Sequence, residues 1–233
     1  MCIRDSLKSD NEVDWTRFHS ADESWRTRLL GDLSGHYAIP RYVELFLDTF
    51  GTERSLRFLE LGAGNGEVPL QIRDLAPPCV DRYWVTELFH AGTRWLVEQG
   101  LPSLTCDAQH IPCADSSCDA VISFDVLHHV SDPYLMAQEM VRVSRGKLLL
   151  VESNGLSLGR KLMELTPGHR AAGERSYTPR QYRALFAAAT RLTRFEINPI
   201  LFPFPGGVPP VLLRTLIAFN RAIEKTPVFR WQC

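Results

Sequence analysis

The sequence has no CxxC pair, no excess of one charge, no internal repeat and no long apolar run free of proline. Each absence excludes something. The six cysteines, at 2, 79, 106, 113, 118 and 233, have the spacings of neither a disulfide framework nor a zinc knuckle. They read as reduced thiols of a cytoplasmic protein, small buried hydrophobes rather than ligands. With 26 Lys+Arg against 27 Asp+Glu the formal net charge is −1, so nothing draws the chain generally toward nucleic acid or anionic lipid. The first ten residues lack the apolar core of a signal peptide. They are polar, unpatterned and similar to a stretch that recurs at the start of unrelated translated assemblies, so they read as an artefact rather than native protein. The most apolar window, 199–219, is broken by Pro199, Pro203, Pro205, Pro209, Pro210 and the pair Gly206-Gly207. Proline removes helical donors that hydrocarbon cannot replace, and no stable membrane insertion is expected.

What is present is 233 residues, 45% of them apolar, enough for one domain that buries roughly 70–75% of the surface of its unfolded chain. The useful signal is an alternation of element types. Pro40 opens a helix with Val43, Phe46, Leu47 and Phe50 on one face, and Gly51 closes it. Leu56 to Leu61 is a strand that runs into Gly62-Ala63-Gly64-Asn65-Gly66, and a helix carrying Val68, Ile72 and Leu75 follows. Arg82 to Glu87 is a second strand ending in an acid, with a helix over Leu88 to Gln99. Ser103 to Cys106 is a short third strand, and Asp119 to Phe124 is a fourth, apolar enough to be buried on both faces. Ser131-Asp132-Pro133 caps a helix bearing Met136, Met140 and Val143, which Gly146 is expected to end; Lys147 to Glu152 is the fifth strand. Thr178-Pro179 begins a helix with Tyr182, Leu185, Phe186 and Ala189 on one face, and a sixth strand is expected near 193–198. Strands alternating with helices call for a doubly wound, Rossmann-like α/β sheet, mostly parallel and covered on both sides.

Ligands of such sheets bind at the carboxyl ends of the strands, beside the point where strand order reverses. The residues there are Glu60, Gly62, Gly64 and Gly66 after the first strand, Glu87 after the second, Asp107 and Ala108 after the third, and Asp125 to His129 after the fourth. A glycine turn feeding a helix presents backbone N–H groups to an anion, a phosphate or a carboxylate alike. A dinucleotide fingerprint, G-x-G-x-x-G, wants its third glycine one position later than Gly66. Glu60 beside the turn would repel a diphosphate and attract an ammonium or a sulfonium.

The pattern Glu60-Leu61-Gly62-Ala63-Gly64-Asn65-Gly66, with an acid ending the next strand and Asp107-Ala108 after the third, resembles the class I S-adenosylmethionine-dependent methyltransferases. Residues 105–152, through Ser123-Phe124-Asp125-Val126-Leu127-His128-His129-Val130-Ser131-Asp132-Pro133, look like the central half of their small-molecule, methyltransferase type 11-like branch. The resemblance covers residues 56–152 and implies a seven-stranded sheet with S-adenosyl-L-methionine as cofactor. By position it implies that Gly62, Ala63, Gly64 and Gly66 hold the amino-acid end of the cofactor, with Glu60 near its ammonium. Glu87 and the adjoining Leu88 take the ribose, Asp107 and Ala108 the adenine, and Phe124 and Asp125 line the sulfonium and its methyl. Cys113 and Cys118 stand where the family more often has phenylalanine; both are packing positions.

Methyl transfer needs a general base only where the acceptor must lose a proton. His128 and His129 are the nearest titratable candidates, and each can equally pack against or cap the following helix. No Asn/Asp-Pro-Pro-Tyr tetrapeptide follows the fourth strand, and the chain has no basic stripe. Both facts speak for a small-molecule acceptor and against nucleic acid. Residues 1–40, with Trp15, Phe18, Trp25, His36 and Tyr37, read as a segment that lies over the pocket, and 41–233 as the methyltransferase domain. An acceptor-side insertion at about 199–225 would suit a lipophilic acceptor, or would simply cover the sheet. The last seven residues, 227–233, read as the opening of a seventh strand cut short. A nicotinamide-dependent oxidoreductase and a noncatalytic methyltransferase-like module are the alternatives. No metal site is expected.

Overall fold

Five β-forming runs, each bounded by turn residues, line up as parallel strands because the connections between them, three of the four helical, are long enough to cross back over the sheet. The computed structural model describes residues 38–157 and 175–189, with short pieces at 160–161, 164–165, 214–215, 217–219 and 221–222. In chain order the elements are α1 (Ile39–Phe50), β1 (Leu56–Leu61), α2 (Glu67–Leu75), β2 (Val80–Glu87), α3 (His90–Glu98), β3 (Ser103–Thr105), β4 (Cys118–Phe124), α4 (Pro133–Val143), β5 (Ser144–Val151) and α5 (Pro179–Ala189). The sheet order is β3-β2-β1-β4-β5, every pairing parallel. Strand order therefore reverses between β1 and β4. Their carboxyl ends, Leu61 and Phe124, flank the crevice that this topology reserves for a ligand.

Two large cores hold α1, α2, α4 and α5 to the sheet, and a smaller cluster of Val85, Leu96 and Leu101 holds α3. Alternation along β1 sends Phe58 to one face and Leu59 and Leu61 to the other. On the first face Phe58 packs with Tyr42, Phe46 and Phe50 of α1, Val68 and Ile72 of α2, and Ala120, Ile122 and Phe124 of β4. On the second, Leu59, Leu61 and Val121 meet Met136, Ala137, Met140 and Val143 of α4, with Tyr182 and Phe186 of α5 beyond them. The methionine pair is core, as its helical spacing suggests, and each fully buried side chain of that size contributes about 1.5–3 kcal/mol. Cys79 and Cys118 are buried thiols, Cys118 inside the second core where the resembled family more often has phenylalanine.

The elements follow the sequence pattern with two differences. Leu75, expected on the buried face of α2, is 57% exposed, because the helix ends there and Ala76 turns the chain into the left-handed region. Helix α4 ends at Val143, before Gly146. Strand β5 instead begins at once, with Ser144 paired to Cys118 and an irregularity before Ala120. Gly146 sits in that irregularity at φ +113°, bridged by Ser144, whose Oγ accepts from Gly146 N and donates to the Lys147 carbonyl. The glycine serves a bulge rather than a helix stop. Most of the segment 1–40, the sixth and seventh strands and nearly all of the 199–225 insertion lie outside the described residues.

Candidate functional site

Strand β1 delivers the chain to a turn whose three glycines all have positive φ: Gly62 at +66°, Gly64 at +57° and Gly66 at +82°. Only glycine adopts this region without strain. At Gly62 space enforces the choice as well, since a Cβ there would lie 2.6 Å from Val126 Cγ2. The turn is stitched to the end of β2. Gly62 N donates to Thr86 Oγ1 and Ala63 N to the Thr86 carbonyl, and Gly64 N donates to Glu87 Oε2 at 3.0 Å. Gly66 then caps α2.

The other Glu87 oxygen accepts from Leu88 N at 2.8 Å. Burial raises the carboxyl above its usual range, partly offset by these backbone donors. A carboxylate has about four lone-pair sites. With Gly64, Leu88 and Phe89 as backbone donors, Glu87 keeps further acceptor capacity in a nearly water-free place.

After β3, Asp107 is fixed by Gln109, whose backbone N–H and Nε2 both donate to Oδ1 at 2.9 Å, with Nε2 also 3.1 Å from Oδ2. The Gln109 Oε1 accepts from Ser131 Oγ and from Asp132 N, which ties this loop to the start of α4. There Asp132 caps the helix by accepting from Tyr134 N and Leu135 N. Farther along, Glu139 accepts from Ile111 N, and the Arg142 guanidinium donates to the carbonyls of Ile111 and Cys113. A loop with a three-residue strand before it is thus anchored by α4.

The ends of β4 and β5 make a second, buried group. Asp125 stands at φ +54°, an uncommon place for a residue other than glycine. Its carboxylate accepts from the Tyr42 hydroxyl, and the Tyr42 ring stacks on Phe124 with centroids 5.3 Å apart. Burial first and the charge of Glu152 second push the Asp125 carboxyl up to about 6. Glu152, just past β5, accepts Val126 N at 2.8 Å and Leu127 N at 2.6 Å on Oε1, and meets His128 Nδ1 at 2.7 Å with Oε2. Burial alone would lower the pKa of His128; the bond and charge of Glu152, with the charge of Asp125, reverse this and raise it. The His129 ring lies 4.1 Å from that of His128, centroid to centroid. Ligating atoms of Asp125, His128 and Glu152 fall within 4.8 Å of one another, with hydrogen-bond partners at both Glu152 oxygens.

The strand-end residues picked from the sequence are thus gathered along the β3, β2, β1 and β4 ends. Glu60 faces inward within that set: it is 2% exposed and accepts the Tyr83 hydroxyl at 2.6 Å. Burial lifts its carboxyl to about 7, against the opposing pull of that hydrogen bond. Sequence reasoning missed Tyr42, Gln109 and Glu152. A signal existed for Glu152, an acid ending a strand as Glu87 does. Tyr42 and Gln109 act through partners distant in sequence or through a side-chain bridge, and no local pattern marks them.

Residues 59–150 match the family model described as a methyltransferase domain. No curated protein sequence matches the chain. Among solved structures it is similar to a Thermotoga maritima protein described as a SAM-dependent methyltransferase and possible histamine N-methyltransferase, with 18% identity and a TM-score of 0.59 over 75% of this chain and 78% of that one. It is also similar to the complex of the Haloferax volcanii Trm112 methyltransferase activator with a protein described as a methyltransferase, at 18% identity and TM-score 0.59, covering 77% and 76%. A third likeness is the YcgJ protein of Bacillus subtilis, at 21% identity and TM-score 0.53, covering 64% and 67%. At these identities the structural likenesses speak to the fold.

Proposed function

We propose that the chain, whose residues 59–150 match a family model described as a methyltransferase domain, uses S-adenosylmethionine to methylate a small-molecule acceptor. The observation that carries this is the buried, partly satisfied carboxylate of Glu87, held at the glycine turn by Gly64 N and Leu88 N. The residues fit the cofactor chemically. Glu87 has acceptor capacity left for a ribose hydroxyl, Asp107 is an oriented acceptor for an amino group with Ala108 beside it, and Asp125 and Glu152 put negative potential where a sulfonium would lie.

Bound S-adenosylmethionine supplies a methyl already activated by its attachment to positive sulfur. The chain's task is to hold, align and exclude water. Gly62, Ala63, Gly64 and Gly66 let backbone approach the amino-acid end, and Glu60, bonded to Tyr83 in the core, backs that turn from the strand below. Leu88 adjoins the ribose acceptor. Phe124, stacked under Tyr42, and Asp125, turned out of the strand by its positive φ, wall the place of transfer. His128 and His129 are the candidate bases.

The near-neutral charge and the lack of a basic stripe support a small molecule as acceptor. Segments 1–40 and 199–225 are proposed to cover the acceptor side, and the apolar residues of 200–219 favour a lipophilic acceptor. No helix among the described residues is long and apolar enough to cross a membrane; reduced thiols support a cytoplasmic enzyme.

The test is a thermal-shift comparison of S-adenosylhomocysteine with NAD. Stabilisation by S-adenosylhomocysteine is expected; stabilisation by NAD alone would make the chain an oxidoreductase, and by neither a noncatalytic module. For the acceptor, a panel of aliphatic and sugar acceptors should favour the aliphatic ones, and a preference for charged polar acceptors would overturn the lipophilic assignment.

A further inference from the structure

We infer that Glu152 is a positioning residue that holds His128 as a general base with its Nε2 free, so that the acceptor presents an acidic hydroxyl, a phenol or an enol. The inference rests on the methyl-transfer function proposed above and names its acceptor class.

The geometry begins with Glu152. Its Oε1 is filled by two backbone donors, Val126 N and Leu127 N. Its Oε2 lies 2.7 Å from His128 Nδ1, with side-chain exposures of 2% for Glu152 and 5% for His128. An ionised carboxylate only accepts, so the contact at Oε2 calls for an N–H at Nδ1 and leaves the lone pair on Nε2. The same carboxylate fixes the loop, since the two N–H groups belong to the residues just before His128. One side chain thus sets both the tautomer of the imidazole and the backbone that carries it. A merely capping histidine would need neither. The site is at the β4 and β5 carboxyl ends, next to Phe124 and Asp125.

The charged and titratable groups around His128 are Glu152 beyond β5, Asp125 beyond β4, Arg160, and the neighbouring His129 ring. Tyr42 from α1 is bonded to Asp125, and Tyr177 and Tyr182 face Glu152 from the α5 side. The two carboxylates favour the imidazolium, which is the form the base takes once it has accepted a proton. In the step, the acceptor oxygen forms the new O–C bond as the methyl's C–S bond breaks, with the C–S electron pair remaining on sulfur. His128 Nε2 takes the hydroxyl proton, which later passes to water. An imidazole works efficiently on an acid within a few pKa units of its own. That suits a phenol at about 10 and not an aliphatic alcohol, while an amine acceptor needs no base at all.

The test has two arms on the full chain with S-adenosylhomocysteine bound. Long-range 1H–15N NMR of wild type should show His128 protonated at Nδ1 with Nε2 bare, and its titration should move to lower pH in Glu152→Gln. An Nε2–H tautomer, or a titration that Glu152→Gln leaves in place, overturns the inference, and the wild-type tautomer needs no variant to fold. In the second arm, methyl transfer from S-adenosylmethionine to substituted phenols should fall about 100-fold or more in kcat for His128→Gln, with S-adenosylhomocysteine affinity retained. Glu152→Gln should move the limb of the pH–rate profile to lower pH, and Glu152→Asp should restore part of the rate. Transfer to alkylamines but not to phenols overturns the inference and leaves methyl transfer standing. Saturable Mn2+ binding lost in His128→Gln overturns it too, in favour of a metal site. Failure of wild type to bind S-adenosylhomocysteine would instead sink the function on which the inference rests.

Discussion

The two ends of the crevice are built in different ways. On the β1–β3 side acids meet backbone or a neutral amide: Gly64 N of the glycine turn reaches Glu87 at the end of the next strand, and Asp107 is bonded to the glutamine two residues on. On the β4–β5 side titratable side chains meet one another. Tyr42 reaches Asp125 across 83 residues, and Glu152 reaches Val126, Leu127 and His128 across 24 to 26. The first side holds partly used carboxylates, which a polar ligand could complete. The second buries charge and compensates it with partners already in place, as a group prepared for proton transfer requires.

The largest effect expected is on Glu60, whose inward partner Tyr83 departs from the pattern of its own side. Because its pKa is raised, the folded chain keeps the Glu60 proton over a pH range where the unfolded chain has released it. The stability from this group is complete below about pH 4.5, falls as pH rises, and is lost above about 7. The span is about 3 kcal/mol. Glu60→Gln should remove that slope in urea unfolding across pH 4–8 and leave the variant the more stable at pH 8; an unchanged slope would mean that Glu60 is ionised throughout.

Gly62→Ala joins the two sides, since its new Cβ would strike Val126 while straining φ. A loss of about 2 kcal/mol in unfolding free energy is expected. Adding Val126→Ala should return the steric part and not the backbone part. Full recovery in the double variant would show that the positive φ costs nothing.

Glu87→Ala should weaken S-adenosylhomocysteine binding about tenfold, or ~1.4 kcal/mol, by isothermal titration, since a ribose hydroxyl would be left unpaired in a closed place. An affinity equal to wild type would remove Glu87 from the site. The smallest effect is for Gln109→Ala, about fivefold weaker binding. It should be confined to ligands with an adenine amino group, and S-inosylhomocysteine, which lacks one, should bind both proteins alike. Equal weakening of the two ligands would make Gln109 a loop strut rather than the residue that aims Asp107.

Much of this was legible in the residues. The alternation of strands and helices, the buried β4 run Cys118–Phe124, the glycine turn and the acid after each strand follow from short-range pattern, because the periods of helix and strand and the φ tolerance of glycine act within a few residues. Element ends were less legible. Gly146 looks like a helix stop, yet strand pairing claims Ser144 first, since a ladder bond to β4 outcompetes another helical turn. The exposed Leu75 shows the same limit, where a periodic position falls just as the helix stops.

Within the site, the glycines, Glu87, Asp107 and Asp125 could be named from sequence because strand ends in a doubly wound sheet are where ligands sit. The direction in which each side chain points could not. Glu60 and Glu87 are both strand acids beside one turn, yet Glu60 turns to Tyr83 in the core while Glu87 turns to Gly64 N. Sequence alone determined the order of elements, the turn chemistry and the acids at the strand ends, all set by local sterics and hydrogen bonding. Only the tertiary structure decided which acids pair, with what, and at what proton affinity. Burial and the distance between charges are properties of the assembled sheet, and they turned Glu152 from a residue that ends a strand into the partner of His128.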